Sequence, residues 1–258
     1  MRRRPVLILM LAASLSGTCG CTWISYLGTD KRGSELGRTY FVGGAGSVGN
    51  VVGTIDVPKG LRAGKYRGSI EVFAWQAVLG GTLRDMLDRG RNESEARRLA
   101  ERIEHYMDEF PGRRVNIIAL SAGTGIATWA LEALPSKYHV GTVVFLGSAL
   151  SRDYDLSLAL QRIDGYLYAF YSDRDPLLKY GLLLTGSVDR ESTEAAGLCG
   201  FSPPTTASQQ QQRLYADRLR LCPYRSEYKR YGYYGLHADS TSPRFVAKVI
   251  CPLLSEPR

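Results

Sequence analysis

The chain has 258 residues and a formal net charge of +8 at pH 7, and 44% of its residues are hydrophobic. Three of the positive charges are arginines at positions 2–4, so the remaining chain carries an ordinary positive excess. No zinc-type cysteine pairing, basic helix or aromatic RNA-binding motif is present in the sequence, which argues against nucleic acid as a partner. The length suits one α/β domain with a single large core.

The first twenty residues resemble an export signal. The three arginines precede an apolar stretch over residues 6–15, which is too short to span a bilayer as a mature helix. Gly20 and Cys21 resemble the end of a bacterial lipoprotein signal, in which Cys21 would become the lipidated first residue. We predict a signal peptide over residues 1–20, a tether over residues 21–37, and an exported protein anchored to the cell envelope by lipid. Ordinary cleavage, giving a periplasmic or secreted protein, and an uncleaved anchor are the alternatives.

Strand-like apolar runs alternate with helical patterns along residues 38–258, as in a doubly wound, mostly parallel sheet. The predicted strands cover residues 39–42, 70–74, 115–120, 140–146 and 166–171, with a sixth in the stretch from Tyr231 to His237. The clearest helix covers residues 92–110, with Asn92 as its N-cap. The long apolar strands indicate burial on both faces. The sequence therefore predicts a three-layer α/β/α sandwich.

A glycine-rich loop follows the first predicted strand. Residues 44–49 read Gly-Ala-Gly-Ser-Val-Gly, which fits the Gly-x-Gly-x-x-Gly fingerprint of dinucleotide-binding folds. That fingerprint also requires an acidic residue about twenty positions further on, at the end of the second strand. Glu71 has this spacing, but it lies near the start of its strand and could not reach a ribose there. A dinucleotide enzyme is therefore an alternative that the sequence does not favour.

Ser121 stands between a buried strand and a helix. Residues 119–123 read Ala-Leu-Ser-Ala-Gly and follow the apolar run at 115–118. A serine on such a turn is lifted clear of the sheet with its hydroxyl exposed, which is the geometry of a nucleophile. The segment resembles the Gly-x-Ser-x-Gly turn of the α/β-hydrolase superfamily, with Ala119 in place of the first glycine. The resemblance implies an α/β-hydrolase fold with Ser121 as its nucleophile.

The resemblance also implies an acid and then a histidine, in that order after the serine. Asp175 lies in the turn after the predicted strand 166–171 and is the better match to the acid, with Asp173 in reserve. His237 stands where the superfamily keeps its histidine. The other two histidines fit less well: His105 lies within a polar helix, and His139 begins its strand and so lies at the wrong edge of the sheet.

By the same resemblance, the backbone N–H groups of Ala122 and Gly44 form an oxyanion hole, which stabilises the charge that develops on an acyl oxygen. Val42 stands where the superfamily often has a histidine, so the register of the glycine-rich loop is open by one neighbouring residue. Trp75 and Gln76, at the end of the strand predicted to lie next to the strand that leads to Ser121, are candidate pocket residues, and Trp75 is alternatively part of the core. No metal or cofactor is expected.

Residues 183–230 form a long excursion between the predicted strands that carry the acid and the histidine. It is predicted either to overhang the site or to be a solvated segment on the core. Its basic, aromatic stretch is a candidate contact with an anionic membrane. Cys199 and Cys222 either form a disulfide in an oxidising compartment or, together with Cys251, remain unpaired thiols.

The sequence thus favours a serine hydrolase that cleaves a carboxylic ester, a lipid or an acyl thioester through an acyl-enzyme. Its expected partners are a small-molecule or lipid ester and, through the anchor, a membrane surface. The alternative is a binding or scaffold lipoprotein that keeps the fold without activity. A reactive Ser121 would separate the two.

Overall fold

Six parallel strands form one sheet in the order β2-β1-β3-β4-β5-β6. The computed structural model describes residues 27–46, 51–76, 81–181, 187–189 and 194–254, so the predicted signal peptide and Cys21 lie outside the described residues. The strands are β1 (Arg38–Val42), β2 (Ser69–Phe73), β3 (Val115–Leu120), β4 (Val143–Leu146), β5 (Leu167–Tyr171) and β6 (Leu219–Pro223).

Helices lie on both faces of this sheet, as parallel strands require. They are α1 (Asp56–Ala63), α2 (Gly81–Leu87), α3 (Arg89–Glu109), α4 (Gly123–Ala133), α5 (Ser157–Leu160), α6 (Ala196–Cys199), α7 (Gln209–Arg218), α8 (Pro243–Phe245) and α9 (Cys251–Leu253). A π-helical stretch, Val246–Ile250, joins α8 to α9, and another covers Leu177–Gly181. Short 3₁₀-helices cover Ser34–Leu36, Ser226–Tyr231 and Asp239–Thr241. Across the ranges described, no helix is long and apolar enough to cross a membrane.

The core consists of two hydrophobic clusters, one on each face of the sheet. Alternate residues of each strand point to opposite faces, so Ile117 packs against α3 and α4 while Ile118 packs against α1 and α8. All six residues of β3 are buried. Burying one such isoleucine contributes about 1.5–3 kcal/mol, so β3 provides a firm base for the turn that follows it. The predicted three-layer sandwich is confirmed.

The sixth predicted strand is wrong. The stretch after Tyr231 forms no strand, and a 3₁₀-helix, Ser226–Tyr231, precedes it. The last strand is β6, which lies within the predicted excursion of residues 183–230 and pairs with β5. Because β6 is an edge strand, its residues are only partly covered, and its sequence lacks the apolar run that marks the other five.

The N-cap predicted for the long helix is also wrong. Helix α3 begins three residues before Asn92, and Asp88 caps it by accepting a hydrogen bond from the Arg91 backbone N–H at 3.1 Å. Asn92 is instead buried inside the first turn. Its side-chain amide donates to the Asp85 carbonyl at 2.6 Å, which ties α3 to α2.

Cys199, Cys222 and Cys251 are free thiols. Cys222 packs with the cluster on one face of the sheet, whereas α6, which carries Cys199, packs Ala196 into the cluster on the other face. The sheet therefore separates the two cysteines for which a disulfide was one alternative. Burial raises the pKa of both thiols to about 11, which keeps them protonated at neutral pH.

Several members of the basic, aromatic stretch have partners within the protein. The Arg218 side chain donates to the carbonyls of Asp164 and Gly165, and the Arg220 guanidinium lies 4.2 Å from the centre of the Tyr166 ring. Tyr228 packs on Phe245, with ring centroids 5.2 Å apart. These groups hold β6 and its flanking segments to the core, and the membrane contact suggested for this stretch stays a prediction.

Glu132, on α4, gives the fold a pH-dependent contribution. Burial raises the pKa of its carboxyl to about 7, from an ordinary value of 4.5, while hydrogen bonds from the Tyr154 hydroxyl oppose the rise. The folded protein therefore holds this proton more tightly than the unfolded chain. The stabilisation is complete below about pH 4.5 and is lost as pH rises through about 7.

Glu132→Gln is expected to remove this loss, because the amide carries no charge to bury. The melting temperature of the variant, relative to the natural protein, should rise by about 5–10 °C between about pH 5 and about pH 8. Thermal unfolding at the two pH values checks the prediction. Glu101→Gln, on the exposed face of α3, is the control for loss of a surface charge. A change in melting temperature on Glu132→Gln that is equal at both pH values would contradict the prediction.

Candidate active site

The loop after β1 and the turn after β3 leave the same edge of the sheet side by side. Val42, the last residue of β1, pairs in register with Ala119 of β3. The two strands continue to opposite sides of the sheet. After β1 the chain leads to β2, on the side away from β3, and after β3 it leads to β4, on the side away from β1. Such a switch point, at the carboxyl ends of parallel strands, is where α/β sheets bind ligands.

Ser121 occupies a strained turn directly after β3. Its φ of 55° lies in the left-handed region, which non-glycine residues rarely adopt and which costs about 1–3 kcal/mol. Hydrogen bonds hold the turn, because the Ser121 N–H donates to the Leu146 carbonyl at 3.0 Å and its carbonyl accepts from the Thr124 hydroxyl at 2.6 Å. The side chain remains partly exposed. The sharp strand–turn–helix arrangement predicted around this serine is present.

Gly123 allows α4 to start directly against the glycine-rich loop. A Cβ at this position would lie 2.3 Å from the Gly43 carbonyl oxygen and 2.5 Å from that of Val42. Contacts this short do not occur, so a side chain here would push the loop away from the turn that carries Ser121. The glycine is therefore required by close approach of two backbones.

Gly123→Ala is expected to lower the free energy of unfolding by about 1–3 kcal/mol through this clash. It should also lower activity, because the loop that has to move lies beside the serine. Denaturant unfolding and the rate of serine labelling measure the two effects. Gly90→Ala is the matched control, since a Cβ at Gly90 meets nothing within 4 Å. Unchanged stability of Gly123→Ala would contradict the prediction.

His237 and Asp175 form a buried pair. The His237 Nδ1 lies 2.6 Å from Asp175 Oδ2, and the exposed fractions of the two side chains are 13% and 3%. The other carboxylate oxygen accepts from the backbone N–H groups of Leu177 at 3.0 Å and Leu178 at 3.1 Å. Asp173 is exposed. With Nδ1–H donated to the carboxylate, the imidazole presents Nε2 as a base.

Gly147, directly after β4, connects this pair to the serine. A Cβ at Gly147 would lie 3.3 Å from His237 Nδ1 and 3.4 Å from Asp175 Oδ2. The pair therefore packs directly against the backbone of Gly147, where no side chain intervenes. The preceding residue, Leu146, accepts the hydrogen bond from the Ser121 N–H. The serine backbone therefore contacts Leu146 and the histidine–aspartate pair lies against Gly147, which are consecutive residues at the end of β4.

Trp75 and Gln76 follow β2 and contact the glycine-rich loop. Their predicted place beside the strand of Ser121 is wrong, because β1 lies between β2 and β3. Both side chains are buried, with exposed fractions of 1% and 7%. The Trp75 indole N–H donates to the Gly43 carbonyl at 2.8 Å, and the Gln76 amide donates to the Gly44 carbonyl at 2.7 Å. The polar groups expected to line a substrate pocket are therefore bonded to the loop backbone.

Comparison with known proteins gives no match among family models or curated proteins. Among solved structures, the chain is similar to lipase B of Aspergillus fumigatus, with a TM-score of 0.52 and 12% identity over 87% of this chain. The chain spans only 54% of the length of that lipase. A Trichoderma reesei cutinase in complex with a phosphonate inhibitor matches 97% of this chain and 98% of its own, at 15% identity and a TM-score of 0.41.

The protein has the α/β-hydrolase fold. Its sheet order, its helices on both faces and the strand–turn–helix at Ser121 agree with the fold that the sequence motifs implied. At such low identities, the similarity shows the fold alone.

A further contact, which the sequence did not reveal, holds the glycine-rich loop in place. The fully buried Asp85 accepts from the Gly46 backbone N–H at 2.7 Å and pairs with Arg91 at 3.1 Å. The Arg91 guanidinium also donates to the Trp75 carbonyl. Asp85 lies 39 residues from Gly46 along the chain. No local motif joins residues so far apart, so only the tertiary structure identifies them.

Glu71, the acidic residue considered for the dinucleotide fingerprint, forms ion pairs with two arginines. Its carboxylate forms ion pairs with Arg38 at 3.1 Å and with Arg102. Residues 47–49 of the fingerprint lie outside the described residues. In the part of the chain that the structure describes, no group of three metal-binding side chains occurs.

Proposed function

We propose that this protein is a serine hydrolase of carboxylic esters, in which Ser121 is the nucleophile and His237 the general base. The observation that carries the proposal is the 2.6 Å contact of His237 with Asp175 at the sheet edge where Ser121 stands at a φ of 55°. A strained serine and a carboxylate-bound imidazole at one edge of a sheet are the groups that nucleophilic acyl transfer requires.

The reaction proceeds in two steps. In the first, Ser121 Oγ attacks the acyl carbonyl while His237 Nε2 takes the hydroxyl proton, and Asp175 stabilises the imidazolium. The imidazolium then protonates the departing alkoxide, which leaves as an alcohol and leaves the acyl group on the serine. In the second, His237 takes a proton from water as the water attacks the acyl-enzyme. The proton returns to Ser121 Oγ as the acid departs.

Backbone N–H groups can stabilise the oxyanion in both steps. The Ala122 amide lies at the start of α4, an eleven-residue helix, where amides have no partner within the helix and the dipole favours negative charge. Among the described residues, no hydrogen bond from the amides of Ala122 or Gly44 occurs. This supports the assignment of these two amides as oxyanion donors. Loss of one donor typically lowers kcat by about a hundredfold or more.

The surroundings of the pair favour an apolar ester. The segment that follows Asp175 and the segment that precedes His237 both carry large hydrophobic side chains that are about half exposed. These are Leu177, Tyr180, Tyr234 and Leu236. Exposed apolar side chains on both segments that carry the pair offer a surface to apolar ligands. We therefore assign an acyl ester with an aliphatic chain as the substrate class.

Fluorophosphonate labelling together with a series of p-nitrophenyl esters of increasing acyl length tests the proposal. We expect covalent labelling, and hydrolysis that improves as the acyl chain grows. Folded protein that neither labels nor hydrolyses any member of the series would overturn the proposal. That result would favour the alternative of a binding or scaffold protein on the same fold.

We further propose that the hydrolase is exported and anchored by lipid at Cys21. The support is the sequence alone, namely the basic flank, the short apolar stretch at residues 6–15 and the Gly20-Cys21 pair. Multiple acyl chains would hold the enzyme durably at a membrane, whereas one chain binds only marginally. An anchored enzyme would meet apolar esters at the surface where they collect.

A further inference from the structure

We infer that Trp75 and Gln76 are positioning residues, which aim backbone N–H groups of the glycine-rich loop at the oxyanion. The inference rests on the proposed function, because an oxyanion forms only if Ser121 attacks an acyl carbonyl. It assigns a role to two side chains that do not touch the substrate. They act through the peptide groups that they hold.

The direction of each amide follows from peptide geometry. In a planar trans peptide, the C=O of one residue and the N–H of the next point to opposite sides. The Gly43 carbonyl is bonded to the Trp75 indole at 2.8 Å, so the Gly44 N–H points away from Trp75. The Gly44 carbonyl is bonded to the Gln76 amide at 2.7 Å, so the Ala45 N–H points away from Gln76.

Both directed amides are available. Among the described residues, neither the Gly44 N–H nor the Ala45 N–H donates a hydrogen bond. The two consecutive peptide groups thus keep their carbonyls bonded to the protein interior and their N–H groups free for a ligand. The sequence left the register open by about one residue around Gly44, and the amides of Gly44 and of its neighbour Ala45 would both be aimed by this pair of side chains.

The loop needs such a support because its own residues do not fix it. Gly43 and Gly44 have no Cβ, so their peptide groups could rotate with little steric cost. The buried donors oppose that rotation, since a carbonyl turned away from them would leave the buried donors and the carbonyl without partners. Leaving a buried polar group unpaired costs about 1–3 kcal/mol. The restraint is therefore large enough to select one orientation.

The support is itself held in place. The Gln76 side-chain oxygen accepts from the Trp75 backbone N–H at 3.2 Å, and the Arg91 guanidinium donates to the Trp75 carbonyl. The Gly43 carbonyl oxygen also lies close to Gly123, one residue after Ala122, since a Cβ at Gly123 would fall 2.3 Å from it. The loop and the start of α4, which carries the Ala122 amide, are thereby in direct backbone contact.

The test compares Trp75→Phe and Gln76→Met with the natural protein on an ester and on the matching thionoester, in which sulfur replaces the carbonyl oxygen. Gln76→Met keeps the bulk of the side chain, whereas Trp75→Phe replaces the indole with a smaller ring, and both substitutions remove the N–H donor. We expect kcat for the ester to fall about ten- to a hundredfold with little change in KM, because misplaced donors act only in the transition state. The thionoester should lose much less, since sulfur accepts hydrogen bonds weakly. The ratio of the ester rate to the thionoester rate should therefore fall.

Trp129→Phe is the matched control. The Trp129 indole is also buried and donates to the Tyr154 hydroxyl at 3.0 Å, away from the loop. Its removal is expected to leave the ester-to-thionoester ratio unchanged. A general loss of stability would lower both rates together, so the ratio separates positioning from a purely structural role.

An unchanged ratio in Trp75→Phe and Gln76→Met, with the natural protein active, would overturn the inference and leave the proposed function standing. If Trp75→Phe does not fold, the ratio for Gln76→Met decides alone. If folded natural protein neither labels with fluorophosphonate nor hydrolyses the ester, the proposed function fails and the inference fails with it.

Discussion

Ser121→Ala is expected to abolish fluorophosphonate labelling and to lower kcat for ester hydrolysis by about 10⁴-fold or more, because it removes the attacking oxygen. Ser121→Gly should remove activity equally and should also stabilise the fold. Glycine adopts the φ of 55° without the strain that serine bears there. We expect a gain of about 1 kcal/mol, or about 2–4 °C in melting temperature, relative to Ser121→Ala. Labelling, kcat and thermal unfolding of the three proteins measure these effects.

Lys65 provides the matched control for the stability effect. It is the other non-glycine residue with a positive φ in the described part of the chain, at 67°, and its side chain is exposed. Lys65→Gly should raise the melting temperature in the same way but leave labelling unchanged. A Ser121→Gly protein no more stable than Ser121→Ala would contradict the claim that the site stores backbone strain. Undiminished labelling of Ser121→Ala would contradict the assignment of the nucleophile.

Asp175→Asn and His237→Ala are each expected to lower kcat by about 10⁴-fold, with labelling slowed to a similar extent. The histidine variant lacks the base. The asparagine variant keeps a side chain of the same shape but cannot hold Nδ1–H and stabilise the imidazolium, so Nε2 no longer accepts the serine proton. Steady-state rates and labelling time courses measure both losses.

Asp173→Asn is the control for the loss of a carboxylate in the same turn. Asp173 is exposed, whereas Asp175 contacts His237 at 2.6 Å. We expect Asp173→Asn to retain the activity of the natural protein. A large loss in Asp173→Asn together with a small loss in Asp175→Asn would show that the contact with His237 is not the functional one.

Local sequence patterns predicted much of this fold. Strands β1 to β5 are apolar runs bounded by turn residues, and their burial on both faces makes them visible without tertiary information. The turn at Ser121 was predictable because its small neighbours and its place between strand and helix are local features. The order of serine, aspartate and histidine along the chain then identified Asp175, whose contact with His237 the structure shows.

Other features depend on contacts between distant parts of the chain. Edge strand β6 is only half covered, so its composition is not that of a buried strand. The sequence placed Trp75 near the site but could not show that its indole bonds to the Gly43 carbonyl, 32 residues away. The buried Asp85 was not predicted at all, since its partners, Gly46 and Arg91, lie on different elements. Such long-range polar contacts are set by packing and have no periodic signature.

Mass spectrometry of the fluorophosphonate-treated protein tests the central claim most directly. We predict a single adduct per chain, located on Ser121 within the tryptic peptide that covers residues 115–137. The His237→Ala protein should carry no adduct over the same reaction time. An adduct on another residue, or folded natural protein that carries none, would contradict the claim that Ser121 is an activated nucleophile.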